Sequence, residues 1–440
     1  MDKPASNEQD KKLFQDRNFR WLAAGAIISM LGDQFTLIAL PWLVLKMTGD
    51  PLVLGTVLAV MSIPRALFIL VGGALVDRHS PKRVAMLTKY INTLLLAALA
   101  VSVFTGVLNV GMVYAFALAI GLSTAFSIPA GTSIMPHVVA REQLQAANGI
   151  FMGIRQMSMF AGPLLAGLLI ALFSHGSDVG DVGVVKDARG LGLAFLFDAI
   201  SFAVSAWTLA KVAMREVPGR QGANAVAQQS VKKAVGEGLR YCWKDDSLRT
   251  CFLYWAAVAF FITGPVQVAV PVLANHIGAG AAAFGALAGA HGAGTLLGMA
   301  VTGIKPHLRF GSFGSTILLI DGIIGILFMP MGLVQATWQG IALLLVIGTL
   351  GGFLQVNIYT WLQRHAAPAM LGRTMSLFMF IFMGIAPMSS AITGWLMRSV
   401  SLAQLFAASG ALLVLIVCIA LLTSGMRSIT DARSGAETQR

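Results

Sequence analysis

Apolar runs of about twenty residues, separated by short polar stretches, recur along almost the whole chain. A run of that length is the signal of a helix that crosses a bilayer; a membrane barrel would show ten-residue alternation instead. The pattern predicts spans at 19–46, 51–76, 84–106, 110–139, 144–173 and 191–212. Six more follow at 250–274, 282–303, 313–334, 338–362, 370–398 and 402–423. The polar segment 174–190, with several Gly and Asp residues, reads as an external loop. One longer interruption, 213–248, divides the spans into two sets of six. Within it, Val235, Leu239 and Trp243 recur at four-residue steps. This predicts an amphipathic helix over 231–243, lying on the membrane surface with its lysines toward acidic headgroups. The expected fold class is an all-α membrane protein. Its organisation is a terminal segment 1–18, a six-helix bundle 19–212, a linker 213–248, a second bundle 249–424 and a tail 425–440.

Composition agrees with the pattern. Of 440 residues, 57% are hydrophobic and 11% charged, and the mean hydropathy is +0.78. Soluble domains carry about 25% charged residues, so this chain cannot cover itself with polar surface. The net charge of +12 raises the question of nucleic acid. The placement of the charges answers it. Of 31 Lys and Arg, 24 fall in the termini and in the loops on their side of the membrane. Lys46, Lys186, Arg189 and Arg398 fall in the opposite loops, and Arg65, Lys89 and Arg155 inside spans. That split is the positive-inside signature and predicts both termini in the cytoplasm, with no nucleic-acid partner. Cys242, Cys251 and Cys418 are too few for a disulfide framework, and no Cys/His ligand set for a metal occurs. The polar stretch 1–20 leads directly into a full span, without the look of a cleavable leader.

Two motifs carry a resemblance. The first joins spans two and three: Gly73-Ala74-Leu75-Val76-Asp77-Arg78-His79-Ser80-Pro81-Lys82-Arg83. It resembles the loop motif of the major facilitator superfamily, with Gly73, Asp77, Arg78, Lys82 and Arg83 matching. Ser80 replaces a family glycine, so the turn there is expected to be made differently, with help from Pro81. The second motif, in span five, holds Gly149, Ser158, Gly162, Pro163 and Gly167. It is similar to the antiporter signature of proton-coupled exporters in that superfamily, with Ser158 and Ala166 in place of glycines. In physical terms it is a small-residue face on a proline-weakened helix. The same spacing serves ordinary packing, as Gly285-x-x-x-Gly289 and Gly294-x-x-x-Gly298 do in span eight. Further stretches, Leu31-Gly32-Asp33-Gln34-Phe35, Phe197-Asp198-Ala199-Ile200-Ser201-Phe202 and Glu237-Gly238-Leu239-Arg240-Tyr241-Cys242-Trp243, look like the branch holding macrolide-efflux proteins and the enterobactin exporter. The resemblance implies two pseudo-symmetric bundles, a monomer, a bacterial inner-membrane location, and a latch at Gly73, Asp77, Arg78, Lys82 and Arg83. One family feature is missing: span four has no Arg, so the proton-coupling role of that residue cannot be transferred.

Charges inside a membrane are costly and mark function by default. Asp33, Arg65, Arg155, Asp198 and Asp321 fall inside spans and are the candidates for proton coupling or substrate contact. Asp33 could pair with Arg65 or Arg155; the bland alternative is a permanent structural ion pair, and Arg65 reads as such a partner. Lys89, closer to a span end, reads as a snorkelling residue. Met30, Phe35, Gln267, Gln355 and Asn357 lie at depths suited to a cavity for bulky amphipathic molecules.

These features predict a secondary transporter that exports an amphipathic compound against inflowing protons, with the proton gradient as energy source and no cofactor. Lipids and the substrate are the expected partners. The rivals are a siderophore exporter or lysophospholipid flippase, for which apolar grooves between spans five and eight or two and eleven would speak, and a non-transporting receptor on the same fold. An enzyme is not expected: no nucleophile–base pair, metal-ligand set or nucleotide-binding loop occurs in the sequence.

Overall fold

The computed structural model describes residues 13–78, 80–174, 189–215, 231–278, 280–305, 308–367 and 370–430. Among these, 12 helices are long and apolar enough to cross a membrane. In chain order they begin with α1 (Arg17–Thr48), α2 (Pro51–Arg78), α3 (Pro81–Phe104), α4 (Val110–Ile134), α5 (Leu144–Phe173) and α6 (Arg189–Ala210). A short helix α7 (Val231–Lys244) follows. The next span is α8 (Asp246–Gly264), one turn of π-helix (Pro265–Ala269) and α9 (Val270–His276). Then come α10 (Gly280–Ile304), α11 (Phe313–Phe328), α12 (Thr337–His365), α13 (Leu371–Leu396) and α14 (Leu402–Thr423). The expected loop 174–190 lies almost wholly outside the described residues, as do 1–12, 216–230 and 431–440.

Helix ends follow local chemistry. Asp16 caps α1, accepting from the Asn18 N–H at 2.7 Å, and Gly49 closes it at φ 62°, where a side chain would be strained. Asn109, Asp245, Ser312 and Ser401 cap α4, α8, α11 and α14 in the same way as Asp16. Ser80 precedes α3 in an extended conformation (φ −63°, ψ 124°), with Pro81 as first helical residue. The turn therefore needs no glycine here: proline at the first helical position has the required φ and lacks an N–H that would go unused.

The chain divides into two compact units. The first holds residues 1–50, 60–228 and 280–289; the second holds 51–59, 229–279 and 290–440. Each unit thus takes in the opening residues of one helix from the other half of the sequence. In the first, a buried stripe of α1 (Gly25, Ser29, Gly32, Thr36) meets a buried stripe of α6 (Asp198, Ser201, Ser205, Thr208). In the second, Gly294 and Gly298 of α10 touch backbone atoms of Leu345 and Thr349 on α12, while Gly348 and Gly352 answer against His291 and Thr295. Lipid gives no hydrophobic drive between helices, so close approach through small residues supplies the attraction. The outward surface is correspondingly greasy: Leu94 and Leu422 are exposed by 70% and 81%. Exposed Trp207, Trp338 and Trp395 fall near helix ends, the level at which membrane proteins place indoles.

Helix α7 packs on the second unit through one face. Glu237 pairs with Arg373 at 2.6 Å, the Tyr241 hydroxyl accepts from the Ala367 N–H at 3.0 Å, and Cys242 is buried beside Thr374. Leu239 and Trp243 point outward, with Arg240 and Lys244 exposed beside them. The side chains of 231–235, which include Lys232, Lys233 and Val235, lie outside the described set.

Candidate functional site

Asp33 sits midway along α1, deep in the first unit, yet its side chain keeps an open surface. That combination belongs to a group lining a recess. It makes no hydrogen bond or ion pair with the described residues; Lys89 and Arg155 are the cations close enough to act on it electrostatically. Arg65 is not its partner: the guanidinium Nε is buried without a hydrogen-bond acceptor among the described residues. Arg155 is exposed on α5.

Asp198 stands opposite, 1% exposed on α6. The Thr36 hydroxyl donates to its Oδ2, and the Ser201 hydroxyl lies 3.0 Å from Oδ1 and 2.7 Å from its backbone carbonyl. Thr36 is one helical turn beyond Gly32, so α1 approaches where it has no Cβ and then offers a hydroxyl. Lys89 completes the group. Its Nζ donates to the Ser205 hydroxyl at 2.6 Å and lies 5.6 Å from the centre of the Phe202 ring. Lys89 was expected to snorkel. It is the ninth residue of α3, about 12 Å along the helix at 1.5 Å per residue, and it turns inward to the α6 hydroxyls. Three helices therefore bring two acids and one lysine into a single polar seam, inside an apolar unit.

The second unit holds a simpler arrangement. Asp321, also the ninth residue of its helix, is buried and accepts from the Tyr254 hydroxyl at 2.7 Å. Lys89 and Asp321 thus occupy equal offsets in α3 and α11. Sequence reasoning missed Tyr254, Thr36, Ser201 and Ser205. The signal for Ser201 and Ser205 was present, since Asp198, Ser201, Ser205 and Thr208 follow the 3-4-3 spacing of one helix face.

The remaining candidates separate by environment. Gln267 and Gln355 are exposed inside their spans, and Met30 is half-buried. Phe35 is buried with its ring centre 4.3 Å from that of Phe197. Asn357 is buried, its Oδ1 accepting from Arg309 and its Nδ2 donating to the Phe353 carbonyl at 2.8 Å. In α5, Gly162 packs on Gln34, and Gly167 meets Gly285 backbone to backbone. Ser158 bonds back to the Ile154 carbonyl at 3.0 Å, Pro163 is buried, and Gly149 faces open space. Gly55 and Gly394 make similar close contacts in the second unit, with Ser390 and Pro51. At these points helix backbones touch where a lipid path would need a groove. Lys82 donates to the Ala210 and Val212 carbonyls at 3.1 and 2.6 Å and so caps the end of α6. Arg83 is exposed. The side chains of Gly73, Asp77 and Arg78 on the last turns of α2 lie outside the described set, as does His79.

Twelve apolar helices carrying buried polar seams define a multi-pass membrane protein. The chain belongs to the Major Facilitator Superfamily, whose family model matches residues 22–391. It is a transporter and not an enzyme. Its sequence is 27% identical to the multidrug efflux pump Tap of Mycolicibacterium fortuitum over 238 residues, about half of either chain (53% of this one, 52% of Tap). It is 23% identical to macrolide efflux protein A of Streptococcus pyogenes over 92% of this chain and 94% of that one. The fold matches a mutant of the nucleoside transporter NupG at TM-score 0.71, with 14% identity over 91% of this chain and 99% of that one. It matches a D-xylose-proton symporter at TM-score 0.69, with 12% identity over 93% and 98%.

Proposed function

We propose that this transporter exports bulky amphipathic compounds across a bacterial inner membrane in exchange for protons, by alternating access. The observation that carries the reading is Asp33. It is an acid at mid-span that lines a recess, makes no bond to a described neighbour, and stands within the field of Lys89 and Arg155. An intramembrane carboxylate without a fixed partner can change protonation as its surroundings open and close. Asp198 and Lys89 stand beside it as a fixed polar background that such a change would act against. The substrate class is supported by the names of the two efflux relatives and by the neutral amides, Gln267 and Gln355, exposed inside their spans. Binding at a central site and rocking of repeats is the mode by which such folds move substrate.

The test is transport in proteoliposomes under an imposed pH gradient, with a panel of dyes, macrolides and siderophores. Wild type should move a drug-like member of the panel only when the gradient is present. Asp33→Asn should abolish gradient-driven movement while leaving binding intact. Movement indifferent to the gradient would sink the antiport reading and leave a facilitator. Movement of siderophores alone would replace the substrate class.

A further inference from the structure

The seventh span changes from α-helix to π-turn at Gly264-Pro265, and a side chain from another helix bonds to it there. In a continuous α-helix the Gly264 N–H would bond directly to the Phe260 carbonyl, four residues back. Here the Ser389 hydroxyl of α13 reaches both of these groups from the side. It accepts from the Gly264 N–H at 2.9 Å and donates to the Phe260 carbonyl. Pro265 removes the next N–H in the ladder, and the chain passes through one π-turn, Pro265–Ala269. A side chain that bonds to both groups ties the last α-helical turn before the π-turn to α13. Ser389 is 2% exposed, so water does not substitute for it.

The inserted turn has a consequence for direction. Each extra residue in a turn rotates everything beyond it by about 100° around the helix. Gln267 lies inside that turn and is exposed, in a stretch whose neighbours Val268, Ala269 and Val270 are buried. Its Oε1 accepts from the hydroxyl of Ser390 at 2.9 Å, and Ser390 is fully buried. With the oxygen held, the Nε2 group is left facing open space with two donors and no described partner. Facing hydrocarbon, such an amide would carry a heavy desolvation cost, so the space is wet or filled by ligand.

We infer that the Ser389–Ser390 pair builds a substrate-positioning device. Ser389 holds the π-turn open, Ser390 orients the Gln267 amide, and that amide donates to an ester, ketone or ether oxygen of the transported compound. The inference rests on the efflux reading and names the substrate feature it recognises, a neutral hydrogen-bond acceptor on an amphipathic body. π-Turns within α-helices fall frequently at functional sites. Gln267 is the residue in contact with substrate; Ser389 is a positioning residue acting through the turn.

The experiment measures KM and kcat for two probes in proteoliposomes made with the full chain. Erythromycin is rich in acceptor oxygens; tetraphenylphosphonium has none. Gln267→Leu should raise the erythromycin KM about 3- to 10-fold, the range for one lost hydrogen bond, and leave tetraphenylphosphonium unchanged. Ser389→Ala should do the same, because the turn before the π-turn then loses the hydroxyl that ties it to α13 and Gln267 is no longer held in place. Ser389→Thr keeps the hydroxyl and should restore the wild-type KM. Equal losses for both probes, no loss for either, or a Ser389→Thr variant that behaves like Ser389→Ala would each overturn the inference. Wild type that moves neither probe would overturn the efflux reading and this inference together; wild type that moves both while the variants fail to discriminate would overturn this inference alone.

Discussion

Asp198 and Asp33 are two carboxyls of one seam in different surroundings. Asp198 is enclosed, and two hydroxyls and the close approach of Gly32 fix its position. Asp33 makes no hydrogen bond or ion pair with a described residue. The proposed proton exchange at Asp33 requires that freedom, whereas the bonds of Asp198 tie α6 to α1. This distinction was not visible in the sequence, where both read as intramembrane acids. What decides it is the azimuth of each side chain around its helix, and that depends on which neighbours pack where. The seam also makes Gly32 a sensitive position. A Cβ there would fall 2.7 Å from the Ser201 Cβ and closer still to the two bonded oxygens, which cannot swing aside without breaking their hydrogen bonds. Gly32→Val should therefore cost about 1–3 kcal/mol by overpacking and lower the melting temperature of the purified protein. Gly153→Ala, at a helical glycine whose Cβ would meet nothing, should leave it unchanged or raise it. Equal melting temperatures for Gly32→Val and wild type would mean that α1 and α6 are not locked at this point.

Helices were the most legible level. Twenty-residue apolar runs with caps and prolines at their ends locate spans within a few residues, because length and hydropathy alone set them. The π-turn was not legible. Gly264-Pro265 signals a weak point, but nothing in the sequence hints that Ser389, on a helix more than a hundred residues away, bonds to the turn before it. Helix α7 shows the same limit. Its periodicity marked an amphipathic element, and the structure shows which face docks: Glu237, Tyr241 and Cys242 inward, Leu239 and Trp243 outward. The junction between α7 and α8 is fixed by Asp245, which caps α8 through the Leu248 N–H at 3.0 Å and meets His365 Nε2 at 3.0 Å. Partial burial opposes ionisation of this carboxyl, but the bonds from His365 and from the Leu248 and Ser247 N–H groups prevail and hold it below the usual carboxylate range. A carboxyl depressed in the fold stabilises it above its unfolded value, about 3.9, and that contribution disappears as pH falls through the folded value. Asp245→Asn keeps the cap and removes the charge. Its melting temperature should fall below wild type by an amount worth at most about 1 kcal/mol, constant from pH 7 to about 4. Below that the two curves should converge. A gap that persists unchanged to pH 3 would assign the loss to altered geometry at the cap and not to the charge.

For the whole molecule, the distribution of charge and the distribution of grease give separate information. Grease fixes that the chain crosses the membrane, and twelve helices follow from it. Direction comes from charge alone, because an apolar helix has no preferred sense of insertion. The Lys and Arg residues crowd into the termini and into one set of loops, and Lys82 there has a second duty, closing the end of α6. Orientation is thus a proposal open to direct measurement. In a Cys418→Ser background, the two remaining thiols, Cys242 and Cys251, are buried. Ser399→Cys, between α13 and α14, should react with a membrane-impermeant maleimide in intact cells whose outer envelope has been removed. Ser428→Cys, beyond α14, should react only after the inner membrane is opened. The reverse pattern would invert the chain and overturn the cytoplasmic placement of its termini. Labelling of both positions in intact cells would deny that α14 spans the membrane, which its 22 residues with exposed Leu422 and Ile419 otherwise require.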